Sequence, residues 1–112
     1  MYLPKQEIYE LLKTLEVGVS QTQPTVFNEL PYLNFDIVEN AIQDLGLNNE
    51  IISQSIETKI DIWADTSVEA SELLSRLEEV MRNNYWRLVY SADVPNTGNI
   101  FHIVTRFRKI VG

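Results

Sequence analysis

His102 is the one histidine of the chain, and with Asp61 and Asp65 it forms the set of residues whose types could do chemistry. A histidine acts as a general base when a nucleophile lies within hydrogen-bond reach and a carboxylate orients its ring. No sequence motif supplies either partner for His102. It reads as a surface or interface residue that shares a strand face with Val104 and Arg106. Asp61 and Asp65 lie near the end of one strand, where a hard cation could be imagined. The spacing speaks against it, because no Asp-x-Asp-x-Asp-Gly loop and no His-x-x-x-His pair is present. Asp65 is better placed to favour the start of a helix. The four glycines, at 18, 46, 98 and 112, form no phosphate-cradling loop. The absence of cysteine excludes disulfides, thiolate metal sites and a cysteine nucleophile. The expectation is therefore no catalytic residue, no cofactor, no metal and no enzymatic activity.

The elements that would position these residues follow from periodicity. Ile56, Thr58, Ile60 and Ile62 alternate along a central strand over 54–64. It runs straight into a helix over 67–82 with Leu73, Leu74, Leu77, Val80 and Met81 as its apolar stripe. Thr66 caps this helix, and Glu69 stands three residues on to close a capping box. Asn83 and Asn84 end it. Upstream, Pro4 suits a first helical position, and Ile8, Leu11, Leu12 and Leu15 place a helix over 4–15 with Gly18 as its stop. A polar loop over 20–24, a short strand over 25–28 and a strand over 32–40 are expected next. Residues 43–53 have no clear period and read as a long loop. Two strands, 85–92 and 100–109, flank the turn-forming run Asp93–Asn99 and make an antiparallel hairpin. Helix, strands, helix and hairpin in this order predict one α+β domain over 1–112. A single antiparallel or mixed sheet of about four strands carries both helices on one face.

Composition narrows the partners. With 112 residues and 45% apolar content, the chain can bury one core without covalent staples. Its net charge of -7 makes direct nucleic-acid recognition a poor expectation. The acids concentrate in residues 36–79, whereas Arg106, Arg108 and Lys109 crowd the C-terminus. A molecule with such asymmetry can stack on copies of itself. The N-terminus lacks a basic region followed by an apolar run, and no stretch approaches the roughly 20 apolar residues that span a bilayer. No membrane role is expected, and the protein should stay where it is made unless it leaves as part of an assembly.

The last two strands carry large apolar groups on both faces. Trp86, Leu88 and Tyr90 alternate with Tyr85 and Val89, and Phe101, Ile103 and Phe107 alternate with Ile100 and Val104. If the helices cover one face, the other keeps an apolar patch of the kind that marks subunit contact. The alternative is that helix 4–15 covers that second face. The interface candidates are Trp86, Tyr90, His102, Arg106, Arg108 and Asp93.

Several segments resemble the tail-completion proteins of long-tailed bacteriophages, also called tail terminators or head–tail joining proteins. The resemblance is carried by Ile60-Asp61-Ile62-Trp63-Ala64-Asp65-Thr66-Ser67, then Glu69-x-x-Glu72-Leu73-Leu74 and Val80-Met81. Tyr85-x-Arg87, Asp93 and Ile100-Phe101-His102-Ile103-Val104-Thr105-Arg106-Phe107 follow, with a weaker part at Leu30–Phe35. Order and spacing carry the resemblance, over about two thirds of the chain; no piece is a catalytic signature. One departure is Asn84, where the family often has glycine; asparagine tolerates the left-handed backbone.

The resemblance implies a small α+β structural subunit of a virion. Such subunits form a hexameric ring at the head-proximal end of the tail, stop growth of the tube and offer a surface to the head connector. The implied partners are copies of the chain itself, the tail tube protein and the head–tail connector protein. The implied location is the tail, after assembly in the host cytoplasm. Arg106 and Arg108, or the hairpin tip 93–99, would meet a neighbour's acidic surface, and residues 43–53 would reach the tube or connector. Two other classes remain open: a small-molecule-binding or regulatory α+β domain, and an enzyme in which Asp61, Asp65 or His102 converge in a pocket.

Overall fold

A computed structural model describes residues 4–20, 30–45, 51–95 and 100–111. The elements are α1 (Pro4–Lys13), β1 (Gly18–Ser20), β2 (Tyr32–Leu45), β3 (Ile51–Ala64), α2 (Ser67–Asn83), β4 (Arg87–Val94) and β5 (Phe101–Val111). They form one open five-stranded mixed sheet in the order β1-β2-β3-β5-β4. Only β1 runs parallel to its neighbour; every other pairing is antiparallel. The α+β expectation holds, with one strand more than about four.

The extra strand is β1, which begins at the glycine expected to stop the first helix. That helix ends earlier. After Lys13 it tightens through bonds from the Thr14, Leu15 and Glu16 amides to carbonyls three residues back. The chain then turns at Glu16, whose φ of 59° is left-handed. Gly18 instead makes room for a neighbour, since a Cβ there would overlap the Tyr32 ring.

β2 and β3 are each 14 residues long and pair as far as Leu45 and Ile51, so most of the loop expected over 43–53 is strand. The register shifts between Ile37 and Glu39, between Ile42 and Asp44, and between Asp44 and Leu45. Each bulge inserts an unpaired residue and interrupts the two-residue period, which hides the strand from pattern reading. At about 3.3 Å per residue each strand spans roughly 46 Å, close to the longest dimension of 54 Å. The loop over 21–24, the strand over 25–28 and the turn residues 96–99 lie outside the described residues.

Both helices pack on the same face of the sheet. Ile8 and Leu12 of α1 join Leu73, Leu77 and Met81 of α2 over Leu33, Phe35, Ile56, Ile60, Ile62, Ile103 and Phe107. Thr58 and Thr105 also face this core, and their hydroxyls donate to the Asp36 and Ile60 carbonyls at 2.8 Å. The helix α1 therefore does not cover the second face.

The turn from β3 into α2 follows the local signal closely. The Glu69 amide donates to Thr66 Oγ1 at 3.1 Å. The returning Glu69 carboxylate accepts from the Asp65 amide at 3.3 Å, one residue before the cap itself. Thr66→Ala is expected to cost about 1 kcal/mol, read as a lower urea midpoint with an unchanged slope. At the other end the left-handed residue is Tyr85, with φ 70°, and Asn84 has φ -112°. The turn expected at Asn84 is made one residue later.

Candidate interaction face

Strand alternation sends every second residue of the sheet away from the helices. On β3 these are Ser55, Glu57, Lys59, Asp61 and Trp63. Register places Arg108, Arg106, Val104 and His102 of β5 opposite Glu57, Lys59, Asp61 and Trp63. On the other side of β3, Asn34 opposes Asp61 and Tyr32 opposes Trp63. These residues pave the face on which no described helix packs; Asn34, Ser55, Glu57, Asp61 and Trp63 are buried in it, and Lys59, Arg106 and Arg108 rise above it.

Two polar constructions lie in that paving. The first centres on Asp61, whose side chain is 7% exposed. One oxygen, Oδ2, accepts from Asn34 Nδ2 at 2.8 Å, and the other, Oδ1, lies 2.8 Å from His102 Nε2. Asn34 Oδ1 accepts in turn from Trp63 Nε1 at 2.6 Å. The Trp63 indole stacks on the His102 ring with centroids 3.7 Å apart and an interplanar angle of 11°. Lys59 Nζ approaches the same carboxylate at 3.8 Å. A stacked pair of this kind is worth about 0.5–1.5 kcal/mol beyond its buried area. The network ties β2, β3 and β5 together from the uncovered side.

The second construction is a clamp. Arg106 and Arg108 each bond one oxygen of Glu57, at 3.2 and 3.1 Å. The carboxylate lies low in the sheet with its side chain 10% exposed, and the two arginines rise over it at 42% and 48%. On β3 and β5 the carboxylates of Glu57 and Asp61 thus form the floor of this face and guanidinium groups its rim, while on β2 the exposed Asp36 stands opposite Lys59. Arg87, exposed and directly opposite Arg108, extends that rim.

The six interface candidates separate. Trp86 is buried in the core, 1% exposed, where its Nε1 donates to Glu7 Oε1 at 3.0 Å. It has no surface to offer a neighbour. Tyr90, half exposed, reaches the uncovered face because a bulge between Leu88 and Tyr90 reverses the alternation of β4. With Val89, Val94 and Val104 it gives an apolar side to a groove of about 640 Å³ whose other wall is Arg106, Arg108, Lys59 and Glu57. Asp93 is exposed but opposes Ile103, on the helix-bearing side. His102 is mostly covered and already paired. The expected apolar patch is therefore a mixed surface, an apolar strip beside a basic rim. Lys109, grouped in sequence with the two arginines, points to the opposite face and bonds Glu7 at 2.8 Å.

The clamp changes what a mutation at Arg106 and Arg108 reports. Reversing both charges sets two carboxylates against a third, mostly buried one. Arg106→Glu/Arg108→Glu is expected to cost between about 1 and 3 kcal/mol, moderated by the exposure of the arginines. Adding Glu57→Gln should recover part of it. A double variant with the wild-type urea midpoint would show that the clamp contributes nothing.

Of the possible catalytic trio, Asp61 and His102 converge and Asp65 does not, being exposed at the helix cap. A smaller groove of about 360 Å³ lies between the start of α2 and β5, with Ser67, Ser71, Asp93, Phe101 and His102 among its lining. No hydrogen bond links either serine to His102 among the described residues. Nor do three or more His, Cys, Asp or Glu side chains gather there as metal ligands would. No helix of the described residues is long and apolar enough to cross a membrane.

Nothing in the sequence alone marks Asn34 and Glu57 as part of this face. Their polar character on a strand was visible, but their partners are 27 and about 50 residues away and meet them only through strand register. Comparison with known protein families and with curated proteins finds no match to this chain.

Proposed function

We propose that this chain is a structural subunit of a long-tailed bacteriophage, a tail terminator that assembles as a ring at the head-proximal end of the tail tube. In this role it halts polymerisation of the tube protein and presents a surface to the head connector. The reading starts from the resemblance carried by Ile60–Ser67 and the segments after it. The observation that supports it most is the one-sided sheet: both described helices pack on one face, and among the described residues the other is an internally braced surface with a charged rim. Such a face suits recognition by a protein surface, which needs area and fixed charges more than a deep cavity. The segments of the resemblance also form one contiguous unit, the adjacent strands β3, β5 and β4 with α2 packed on their other face.

The test is location. Antibody against the chain, carried on gold and applied to virions of a phage that encodes it, should mark the junction between head and tail. Label confined to the capsid shell, the distal tail tip or unassembled material would reject the reading.

A further inference from the structure

We infer that the uncovered sheet face binds the outer surface of α2 on a second copy of the chain, so that subunits associate helix-on-sheet. The inference rests on the ring reading for its biological setting, and on charge and shape for its content. On the sheet side Arg87, Arg106 and Arg108 are exposed on β4 and β5 above Glu57, and Lys59 stands beside them on β3; the exposed carboxylate of this face, Asp36, lies on β2 opposite Lys59, away from the arginines. Register sets Lys59 beside Arg106 and Arg87 beside Arg108, two basic rows about 7 Å apart at two residues of strand rise.

The helix side is its complement. Val68, Glu72, Ser75 and Glu79 recur at helical spacing and are all exposed, Val68 at 66%. The two basic residues of α2 are already engaged: Arg76 donates to the Leu15 carbonyl, and Arg82 pairs with Glu78. Among the described residues no ion pair holds Glu72 or Glu79. They are about 10 Å apart along the axis, at 1.5 Å per residue, against about 7 Å between the two rows, a difference that long arginine side chains can span. Val68 lies one turn before Glu72, placed to enter the apolar side of the groove at Val89 and Tyr90.

The two surfaces belong to opposite layers of one subunit, so each contact joins unlike patches. Such heterologous contacts close into a ring when the rotation permits. Two competing occupants fit less well. A nucleic acid would have to approach a chain of net charge -7. Strand addition to the edge strand β4 is discouraged by its bulge.

The test is charge-swap complementation of the full chain, followed by sedimentation equilibrium at low salt. Glu72→Arg/Glu79→Arg should weaken self-association at least about tenfold, because like charges then face one another. Arg87→Glu/Val89→Glu, which leaves the Glu57 clamp intact, should do the same. An equimolar mixture of the two should recover assembly, since a helix-reversed chain and a sheet-reversed chain can only alternate. Glu72→Gln/Glu79→Gln should weaken association less, and urea midpoints near wild type establish that each variant is folded. Wild-type association by Glu72→Arg/Glu79→Arg, or no recovery in the mixture, overturns the inference. So does retention of a short DNA duplex by the wild type and not by Arg87→Glu/Val89→Glu. A wild type that stays monomeric at low salt also overturns it, while gold label at the head–tail junction would still uphold the ring reading.

Discussion

Trp86→Ala is expected to lower the stability of the fold by about 3–5 kcal/mol, the usual cost of emptying a buried aromatic site. The indole is 1% exposed and lies where the chain leaves α2 and enters β4. Its amide donates to the Met81 carbonyl at 2.9 Å, which turns the chain back on the helix. Its ring nitrogen holds Glu7 of α1, and Lys109 of β5 stands 5.5 Å from the ring centroid. Glu7 also bonds Lys109, so one side chain organises the first helix, the last strand and the turn between. Trp86→Phe keeps most of the apolar volume and loses the bond to Glu7, and should cost well under half as much. Equilibrium urea unfolding followed by circular dichroism measures both. A Trp86→Ala protein with wild-type stability and impaired assembly would place the indole at a contact between chains instead.

Asp61→Ala is expected to cost about 3 kcal/mol, because it removes the shared acceptor of a buried network and leaves polar groups behind it. Asn34 Nδ2 and His102 Nε2 lose their partner together, both at positions sealed by Trp63. Asp61→Asn retains the shape and one acceptor, and should cost roughly 1 kcal/mol. The two variants separate the network from mere packing: equal losses for alanine and asparagine would mean that charge and hydrogen bonding at this site are dispensable. The network matters beyond stability because it stiffens the face that carries the basic rim. Asp61→Ala should therefore also weaken self-association at temperatures where it remains folded.

The parts of this fold that were legible in the sequence are those encoded within one element. The stripe Ile56, Thr58, Ile60 and Ile62 announced the covered face of β3, and Thr66 with Glu69 announced the start of α2. The stripe Leu73, Leu77 and Met81 announced the helix face that meets it. What was hidden depends on register or on broken periods. The bulges in β2 concealed its length, and the bulge before Tyr90 moved that residue to the face opposite its expected partners Trp86 and Leu88. The Asp61 network needed three strands side by side before its members could be named. Arg106, Arg108 and Lys109 read as one basic cluster in the sequence, but strand alternation sends Lys109 to the helix side, and the acceptor of the two arginines, Glu57, lies on a strand that only tertiary pairing brings near. The left-handed turn at Tyr85 is of another kind, since an aromatic side chain gives no sign that its backbone will adopt it.

The central claim is that the chain ends the tail tube, and deletion tests it most directly. Electron microscopy of lysates from a phage or prophage carrying this gene, with the gene removed, should show filled heads separate from tails of uncontrolled length. Supplying the chain in trans should restore joined particles with tails of one length. Complete, infectious particles of normal tail length in the deletion would contradict the claim.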